Sequence, residues 1–525
     1  MRFVQVLSTV VSLFASVLAL PQASQGSSGP PTVTIESGVV QGVSTAIPGA
    51  SHNITKYLGV PFAAKPLRFA PPAAPQAWKT PFKATKYGPA CIQEFAYPAH
   101  DITISWFNTP PPPAGESEDC LNVNIYAPAT GKNKTVMVWF YGGSLAFGAN
   151  SLAAYDGSYF AAFQDVVIVT VNYRTNVFGF PCSPELPARG NNLGFLDQRF
   201  ALAWIQRNIA AFGGDPAKVT IFGESAGGLS VDALVTSFAT NPPFRGAIEE
   251  SGQGTYRALV ADPHKSWTTL AAAVGCNTTA TVSHLKCMRG LPASTLKNAS
   301  EHLGLAFTPM VDNYTFVANR SEARAAGKIA KVPIMAGTNA DEGTVFTYGD
   351  SNLTEYLAAA LPTAPVSYLS QITSAYPIGS PGIANVSQQI AKIYTEFSFQ
   401  CTQARVLRDT KRAGIPTWRY FYNATIPQLE LFPGAGVYHS SEIQLVFGTY
   451  RHNPQQTQTP LEQKLSTYMM GAWARFAKNP TQGPGWPQLP VVTALGGDGV
   501  INASIQSSVV DRRCALFDPV YDLLQ

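Results

Sequence analysis

The pentapeptide Gly223-Glu224-Ser225-Ala226-Gly227 has the Gly-x-Ser-x-Gly pattern of a serine nucleophile. Alone, such a short string carries little weight in a glycine-rich chain. Its setting adds weight, because an apolar run at 219–222 precedes it and a helical pattern follows it. A sharp strand-to-helix turn lifts the serine hydroxyl above the sheet edge, and glycines there avoid backbone collisions. The setting favours a reactive serine over an incidental serine in a plain turn.

A serine hydroxyl is a poor nucleophile without a base, and that base needs an acid to orient it. Where the serine sits on this kind of turn, the partners follow in the order acid and then histidine. This order excludes His52 and His100, which precede the serine. A strand-like run at 332–336 is followed by Asp341 and Glu342, so an acid is expected at this strand end.

Two histidines remain beyond that acid, His439 and His452. His452 stands among polar residues that are typical of a solvated loop. His439 follows a glycine-containing segment beyond the strand-like run at 418–422. We favour His439 as the base, although a surface or packing histidine is the alternative at either position.

The elements around these residues alternate between strand and helix. Runs at 136–141, 166–171 and 219–222 are apolar on both faces, which indicates buried parallel strands. Apolar residues recur at helical spacing from 193 to 209 and again from 465 to 476. The pattern predicts the α/β class, with a large, mostly parallel central sheet and helices on both faces.

Composition sets the broad class of the chain. Of its 525 residues, 46% are hydrophobic and 13% are charged, which suits a large buried core. The formal net charge is only +4, and no run of Lys or Arg suggests a nucleic-acid partner. We expect a single domain over residues 28–525.

The N-terminus reads as a targeting segment. Arg2 precedes an almost wholly apolar stretch from 3 to 20, and polar residues follow it. This predicts a signal peptide over residues 1–20, cleaved between Ala19 and Gln25, and hence a secreted protein. A membrane anchor is the alternative, but the apolar core falls short of the ~20 residues needed to span. No later stretch predicts a transmembrane segment.

Cysteines and glycosylation sequons agree with secretion. The seven cysteines could mostly pair in an oxidising compartment. Ten Asn-x-Ser/Thr sequons are spread along the chain, as expected for a glycosylated surface. The candidate sites are Asn53, Asn133, Asn277, Asn298, Asn313, Asn319, Asn352, Asn385, Asn423 and Asn502.

Several motifs together resemble the type-B carboxylesterase/lipase family, which includes cholinesterases and fungal lipases. They are Phe212-Gly213-Gly214-Asp215-Pro216 running into 223–228, Glu118-Asp119-Cys120-Leu121, Asp341-Glu342-Gly343, and Gly436-Val437-Tyr438-His439 with Glu442. Asn122 departs from the second motif, where Tyr or Thr is usual. The resemblance implies the α/β-hydrolase fold and a triad of Ser225, Glu342 and His439.

The same resemblance implies further site residues. Backbone N–H groups of Gly143, Ser144 and Ala226 would form the oxyanion hole, and Ser144 replaces a glycine of the family pattern. Ser251 matches a buried serine behind the site. Leu303 and Leu305 align with acyl-pocket positions, which predicts an aliphatic pocket that accepts chains longer than acetyl.

Disulfides are implied in the same way. Cys91–Cys120 and Cys276–Cys287 match the family's two common bridges, and Cys401–Cys514 is a candidate third. Cys182 is then left free.

The expected activity is hydrolysis of a small-molecule or lipid ester through an acyl-enzyme, without metal or organic cofactor. One alternative is a binding or adhesion protein of the same fold, although such relatives typically lose a triad member. A serine protease is the other alternative, and the resemblance argues against it.

Overall fold

The computed structural model describes residues 29–253, 262–276, 283–452 and 458–523. The predicted signal peptide lies outside these residues. The described strands are β1 Thr32–Ile35, β2 Gly38–Gln41, β3 Val43–Thr45, β4 Ile54–Pro61, β5 Phe82–Lys83, β6 Asn122–Pro128, β7 Lys134–Phe140, β8 Val167–Val171, β9 Gly214–Glu224, β10 Gly246–Glu250, β11 Ile334–Asn339, β12 Thr417–Tyr422, β13 Val491–Leu495 and β14 Asn502–Gln506.

The described α-helices follow the apolar periodicity of the sequence, and several short ones fill the connections. They are α1 His100–Phe107, α2 Ser158–Gln164, α3 Asn176–Gly179, α4 Leu193–Asn208, α5 Ala226–Ser237, α6 Lys265–Ala273, α7 His284–Gly290, α8 Ala293–Leu303, α9 Arg320–Ala325, α10 Leu353–Ala360, α11 Val366–Ala375, α12 Val386–Thr395, α13 Cys401–Arg412, α14 Ile443–Phe447, α15 Pro460–Lys478, α16 Ser507–Val510 and α17 Asp518–Leu523.

Eleven of the described strands form one sheet in the order β14-β13-β12-β11-β10-β9-β7-β8-β6-β4-β3. Neighbours from β8 to β13 pair in parallel, whereas the pairs at both edges are antiparallel. A separate three-stranded sheet has the order β1-β2-β5. The predicted α/β class with a mostly parallel central sheet is confirmed.

The register of the central strands brings their carboxyl ends to one edge. Phe140 of β7 lies opposite Gly223 of β9, and Glu224 lies opposite Glu250 of β10. Side chains that directly follow these strands therefore meet at this edge.

Bulky apolar side chains fix the sheet beneath that edge. Trp139 packs against Phe222 and Phe447, with ring centroids 4.8 and 5.0 Å apart, and all three side chains are fully buried. A smaller apolar cluster around Cys401 includes Tyr376, Phe517 and Tyr521. The last helices of the described chain are thereby joined to α13.

Three disulfides are present: Cys91–Cys120, Cys276–Cys287 and Cys401–Cys514. Cys182 is free and buried, and burial raises the pKa of its thiol to about 12. The thiol points at the carbonyl oxygen of Thr308, 3.2 Å away.

Nine of the ten sequon asparagines lie in the described residues. All nine described sequon asparagines are exposed, and Asn277 lies outside the described residues. Among the helices that the structure describes, none is long and apolar enough to cross a membrane.

The two disulfides that close loops of very different length should contribute differently to stability. Cys401–Cys514 spans 113 residues and Cys276–Cys287 spans 11. Because a longer loop loses more unfolded-state entropy on cross-linking, removing the longer bridge should cost about 2 kcal/mol more. Denaturant unfolding of Cys401→Ala/Cys514→Ala beside Cys276→Ala/Cys287→Ala measures the difference. An equal or larger loss in the second variant would contradict this expectation.

Candidate active site

Ser225 stands on a strained turn between β9 and α5. Its backbone has φ 57° and ψ −121°, a conformation that non-glycine residues rarely adopt. The turn is fixed on both sides: the N–H of Ser225 donates to the carbonyl oxygen of Glu250 at 2.9 Å, and its carbonyl oxygen accepts from the N–H of Leu229 at 2.9 Å. The half-buried side chain lines a cavity of about 720 Å³.

His439 and Glu342 form a buried hydrogen-bonded pair. The Nδ1 atom of His439 lies 2.6 Å from Oε2 of Glu342, and the two side chains are 4% and 0% exposed. The other carboxylate oxygen of Glu342 accepts the N–H of Asn339 at 2.7 Å, which fixes the acid at the end of β11. The adjacent acid, Asp341, instead accepts the N–H of Val437 and so supports the histidine loop. Of the two acids that the sequence left open, Glu342 is the one against the imidazole.

The other side of the imidazole shares the cavity with Ser225. Ser225, His439 and Glu224 line this cavity, whereas Glu342 lies behind the ring. The Nε2 atom of His439 is 3.1 Å from Oε1 of Glu224 but has no hydrogen-bond partner of good geometry among the described residues. The hydroxyl of Ser440 donates to the same Glu224 oxygen at 2.7 Å.

Three buried carboxyl groups interact with His439: Glu224, Glu342 and Glu442. Glu250, also buried, interacts electrostatically with Glu224 and Glu442. Burial raises the pKa of Glu224 to about 7 and, with the charge of Glu224, that of Glu442 to about 8. Burial also raises the pKa of Glu250 well above its ordinary value. Desolvation opposes charge on His439, but the facing carboxylates outweigh it and raise the pKa of His439 to about 9.

Gly143 and Ser144, two of the predicted oxyanion-hole residues, line the same cavity as Ser225. A Cβ built on Gly142 would stand 2.9 Å from Cβ of Ser225, so the loop after β7 approaches the turn after β9 too closely for any larger residue. Within the described chain, the N–H groups of Gly143, Ser144 and Ala226 donate no hydrogen bond. Ala226 is also the first residue of α5, where N–H groups lack intrahelical partners and the helix dipole is positive.

Other predicted site residues differ in their placement. Ser251 is fully buried, and its hydroxyl has no hydrogen-bond partner among the described residues. Leu303, the last residue of α8, is 47% exposed, and Leu305 packs against the main core. Neither leucine is among the described residues that line the cavity. The structure therefore gives no support to the acyl-pocket prediction. The N–H of Leu305 bonds to the carbonyl oxygen of Ser300 at the end of α8.

Aromatic residues line part of the cavity instead. They include Trp106, Phe107, Phe147 and Phe346. The ring of Trp106 stacks on that of Phe432 with centroids 5.0 Å apart.

His452 is exposed, as its polar neighbours suggest, yet it also lines the cavity. The sequence analysis missed this placement.

Comparison with known proteins gives the family. The sequence profile described as "Carboxylesterase family" matches residues 29–494. The chain belongs to the carboxylesterase family. It has the α/β-hydrolase fold of that family and is a carboxylic ester hydrolase.

Relatives of this carboxylesterase come from animals, bacteria and fungi. Mouse "Cholinesterase" is 30% identical over 92% of this chain and 85% of its own length. "Para-nitrobenzyl esterase" of Bacillus subtilis is 33% identical, covering 87% and 92% of the two chains. "Secreted lipase 5" of Gibberella zeae is 30% identical, covering 91% and 92%.

Glu224 is the principal site residue of this carboxylesterase that the sequence analysis did not identify. An acidic residue directly before the motif serine was the available signal. Its nearness to the imidazole could not be read from the chain, because His439 lies more than 200 residues away in sequence.

Replacing Glu224 should change the titration of His439. In Glu224→Gln, the charge that most strongly favours the imidazolium is lost, so the pKa of His439 should fall below about 9. NMR titration of the imidazole protons measures this pKa. Glu430→Gln is the control, because Glu430 is an exposed carboxylate on the same cavity. A pKa of His439 that stays the same in Glu224→Gln, or falls equally in Glu430→Gln, would contradict the assignment.

Proposed function

We propose that the chain is a secreted serine hydrolase that cleaves carboxylic esters with Ser225 as nucleophile, His439 as base and Glu342 as orienting acid. The observation that carries the proposal is the buried 2.6 Å hydrogen bond between Glu342 and Nδ1 of His439. This bond keeps a proton on Nδ1, which leaves Nε2 as the nitrogen that can accept a proton. His439 and Ser225 line the same cavity.

The reaction has two halves. His439 takes the hydroxyl proton of Ser225 as its oxygen attacks the ester carbonyl, and the N–H groups of Gly143, Ser144 and Ala226 stabilise the oxyanion. His439 then gives the proton to the departing alcohol, which leaves an acyl-enzyme on Ser225. Water, deprotonated by His439, hydrolyses that ester and restores the free hydroxyl. Glu342 stabilises the imidazolium at each transfer.

The cavity wall supports a substrate without negative charge. Aromatic and aliphatic side chains share its described lining with uncharged polar side chains, and it includes the carboxylates of Glu224 and Glu430 but no Lys or Arg. An ester that carries a carboxylate would find no cation here to replace its hydration. Small-molecule or lipid esters without negative charge fit better.

Secretion of the mature chain, with residues 1–20 removed as a signal peptide, completes the proposal. Three disulfides support an oxidising destination. The exposed sequons are consistent with the same compartment.

Ser225→Ala should abolish hydrolysis of p-nitrophenyl esters while leaving thermal stability close to that of the parent. Loss of a triad serine lowers the rate by about 10⁶-fold in other hydrolases. Mass spectrometry after labelling with a fluorophosphonate should find the adduct on Ser225 in the parent and none in the variant. Retained hydrolysis in the variant would overturn the nucleophile assignment. A folded parent that cleaves no ester in a broad panel would instead favour a binding protein.

The two candidate bases form a matched pair, since His439 and His452 both line the cavity but only His439 is buried against an acid. His439→Gln should lose about as much activity as a triad histidine does, several orders of magnitude in kcat. His452→Gln should change kcat/KM by less than about tenfold, because it alters only a cavity wall. Measuring kcat/KM of both variants on one ester decides between them, and an active His439→Gln would rule out the proposed base.

A further inference from the structure

The loop that follows β7 adopts an unusual backbone. Gly143, Ser144 and Leu145 have φ values of 97°, 57° and 60°, so three consecutive residues lie in the left-handed region. Glycine tolerates this region, but Ser144 and Leu145 carry a Cβ that disfavours it. Such a conformation persists only where the surroundings hold it. We call residues 142–146 the oxyanion loop.

Asn176 makes two hydrogen bonds to this loop and a third to Ile92. Its backbone N–H donates to the carbonyl oxygen of Leu145 at 2.6 Å. Its side-chain Nδ2 donates to the carbonyl oxygen of Ala146 at 2.9 Å and to that of Ile92 at 2.8 Å. Asn176 is 2% exposed, so these bonds are shielded from water. It also has φ 47°, a conformation that asparagine tolerates better than most residues.

The segments joined by Asn176 are themselves fixed. On one side, Arg174 forms a buried two-point ion pair with Asp197 of α4, at 2.8 and 2.7 Å. Thr175 adds a hydroxyl bond to the carbonyl oxygen of Ala146 at 3.1 Å. On the other side, Ile92 directly follows Cys91 of the Cys91–Cys120 disulfide. The side-chain amide of Asn176 therefore links the oxyanion loop to two fixed segments, and the hydroxyl of Thr175 and the N–H of Glu94 add bonds to the same Ala146 carbonyl oxygen.

We propose that Asn176 is a positioning residue that holds the oxyanion loop in the shape that presents the N–H groups of Gly143 and Ser144 to the reacting carbonyl. The inference rests on the proposed function, because it takes those N–H groups as the oxyanion donors. Asn176 touches neither substrate nor Ser225 and acts only through the loop. Its effect belongs to the transition state, where the carbonyl oxygen gains charge, rather than to the binding of the neutral ester.

Asn176→Gly tests the role of the amide. Glycine keeps the positive φ and the N–H bond to Leu145 but loses the side-chain bonds, including those to Ala146 and Ile92. We expect kcat/KM for p-nitrophenyl butyrate to fall at least tenfold, toward the ~10²–10³-fold of a lost oxyanion donor, with KM nearly unchanged. The affinity of a trifluoromethyl ketone, which forms an oxyanion on the nucleophile, should fall by a similar factor.

Asn208→Gly is the matched control. Asn208 is a buried asparagine at the end of α4 whose side chain bonds to Glu36 and to the carbonyl oxygen of Trp204. It should lose stability without a change in kcat or in ketone affinity. Thr175→Val, which removes one weaker donor to Ala146 and nearly conserves volume, should show a smaller fall in the same direction. That variant keeps the test available if Asn176→Gly does not fold.

A second substitution separates positioning from general destabilisation. Ser144→Gly removes the Cβ that strains the loop, so in the Asn176→Gly background (or in Thr175→Val) it should recover part of the lost kcat/KM. Unchanged kcat and ketone affinity in both Asn176→Gly and Thr175→Val, or no recovery by Ser144→Gly, would overturn the role of Asn176. Activity retained in Ser225→Ala would overturn the proposed function itself, and the two failures are therefore distinguishable.

Discussion

The close approach of two strand ends is the constraint on which the candidate site depends. Beyond β7 and β9 the chain makes two turns, and Gly142 sits against Ser225 and the carbonyl oxygen of Glu224 with no room for a Cβ. The parallel pairing of these strands, with β10 on the far side of β9, sets that separation. The fully buried packing of Trp139, Phe222 and Phe447 stabilises the strands from below. A rigid sheet thus supports two strained turns that would not persist alone.

Charge is the second feature of the site. Three buried carboxyl groups, those of Glu224, Glu342 and Glu442, interact with a single imidazole, and Glu250 extends the cluster. Desolvation raises the pKa values of Glu224, Glu250 and Glu442. The ring of acids would be costly if all were ionised, since like charges repel strongly in a low dielectric. Burial is the main cause of the raised carboxyl pKa values, whereas the facing carboxylates raise the imidazole pKa, and both shifts lower the net negative charge of the cluster. Glu342 is set apart by position, as the only acid of the four that bonds to Nδ1.

The strained backbone of the oxyanion loop is held by residues from another part of the chain, Thr175 and Asn176. Ser144 stands where the family pattern has glycine, and its φ of 57° shows that the loop keeps a left-handed shape despite the added Cβ. The bonds from Asn176 and Thr175 to the carbonyl oxygen of Ala146 oppose the tendency of this loop to relax. Because Ser144 replaces a glycine, the hydrogen bonds from Asn176 and Thr175 matter more to the shape of the oxyanion loop.

The sequence alone determined the features that are encoded locally. Apolar runs predicted β7, β8, β9, β11 and β12 but not β10 or β13. Apolar periodicity predicted the helices at 193–208 and 460–478, with errors of a few residues at their ends, because burial of one face imposes a period. The family motifs are equally local, since Gly-x-Ser-x-Gly and Asp-Glu-Gly each consist of neighbouring residues. Together they were enough for the fold class and the family.

Only the tertiary structure decided which distant groups meet. Ser440 and Glu224 are 216 residues apart in sequence, and Asn176 and Ile92 are 84 apart, yet each pair is joined by a hydrogen bond. No local pattern encodes such contacts, because they depend on strand order and on how the crossover segments pack. The same reason explains why Leu303 and Leu305, aligned by neighbouring motif letters, are not among the described residues that line the cavity, whereas Trp106 and His452 are. The local sequence pattern determines which face of each segment is buried. The packing of the sheet determines which side chains line the cavity beside Ser225.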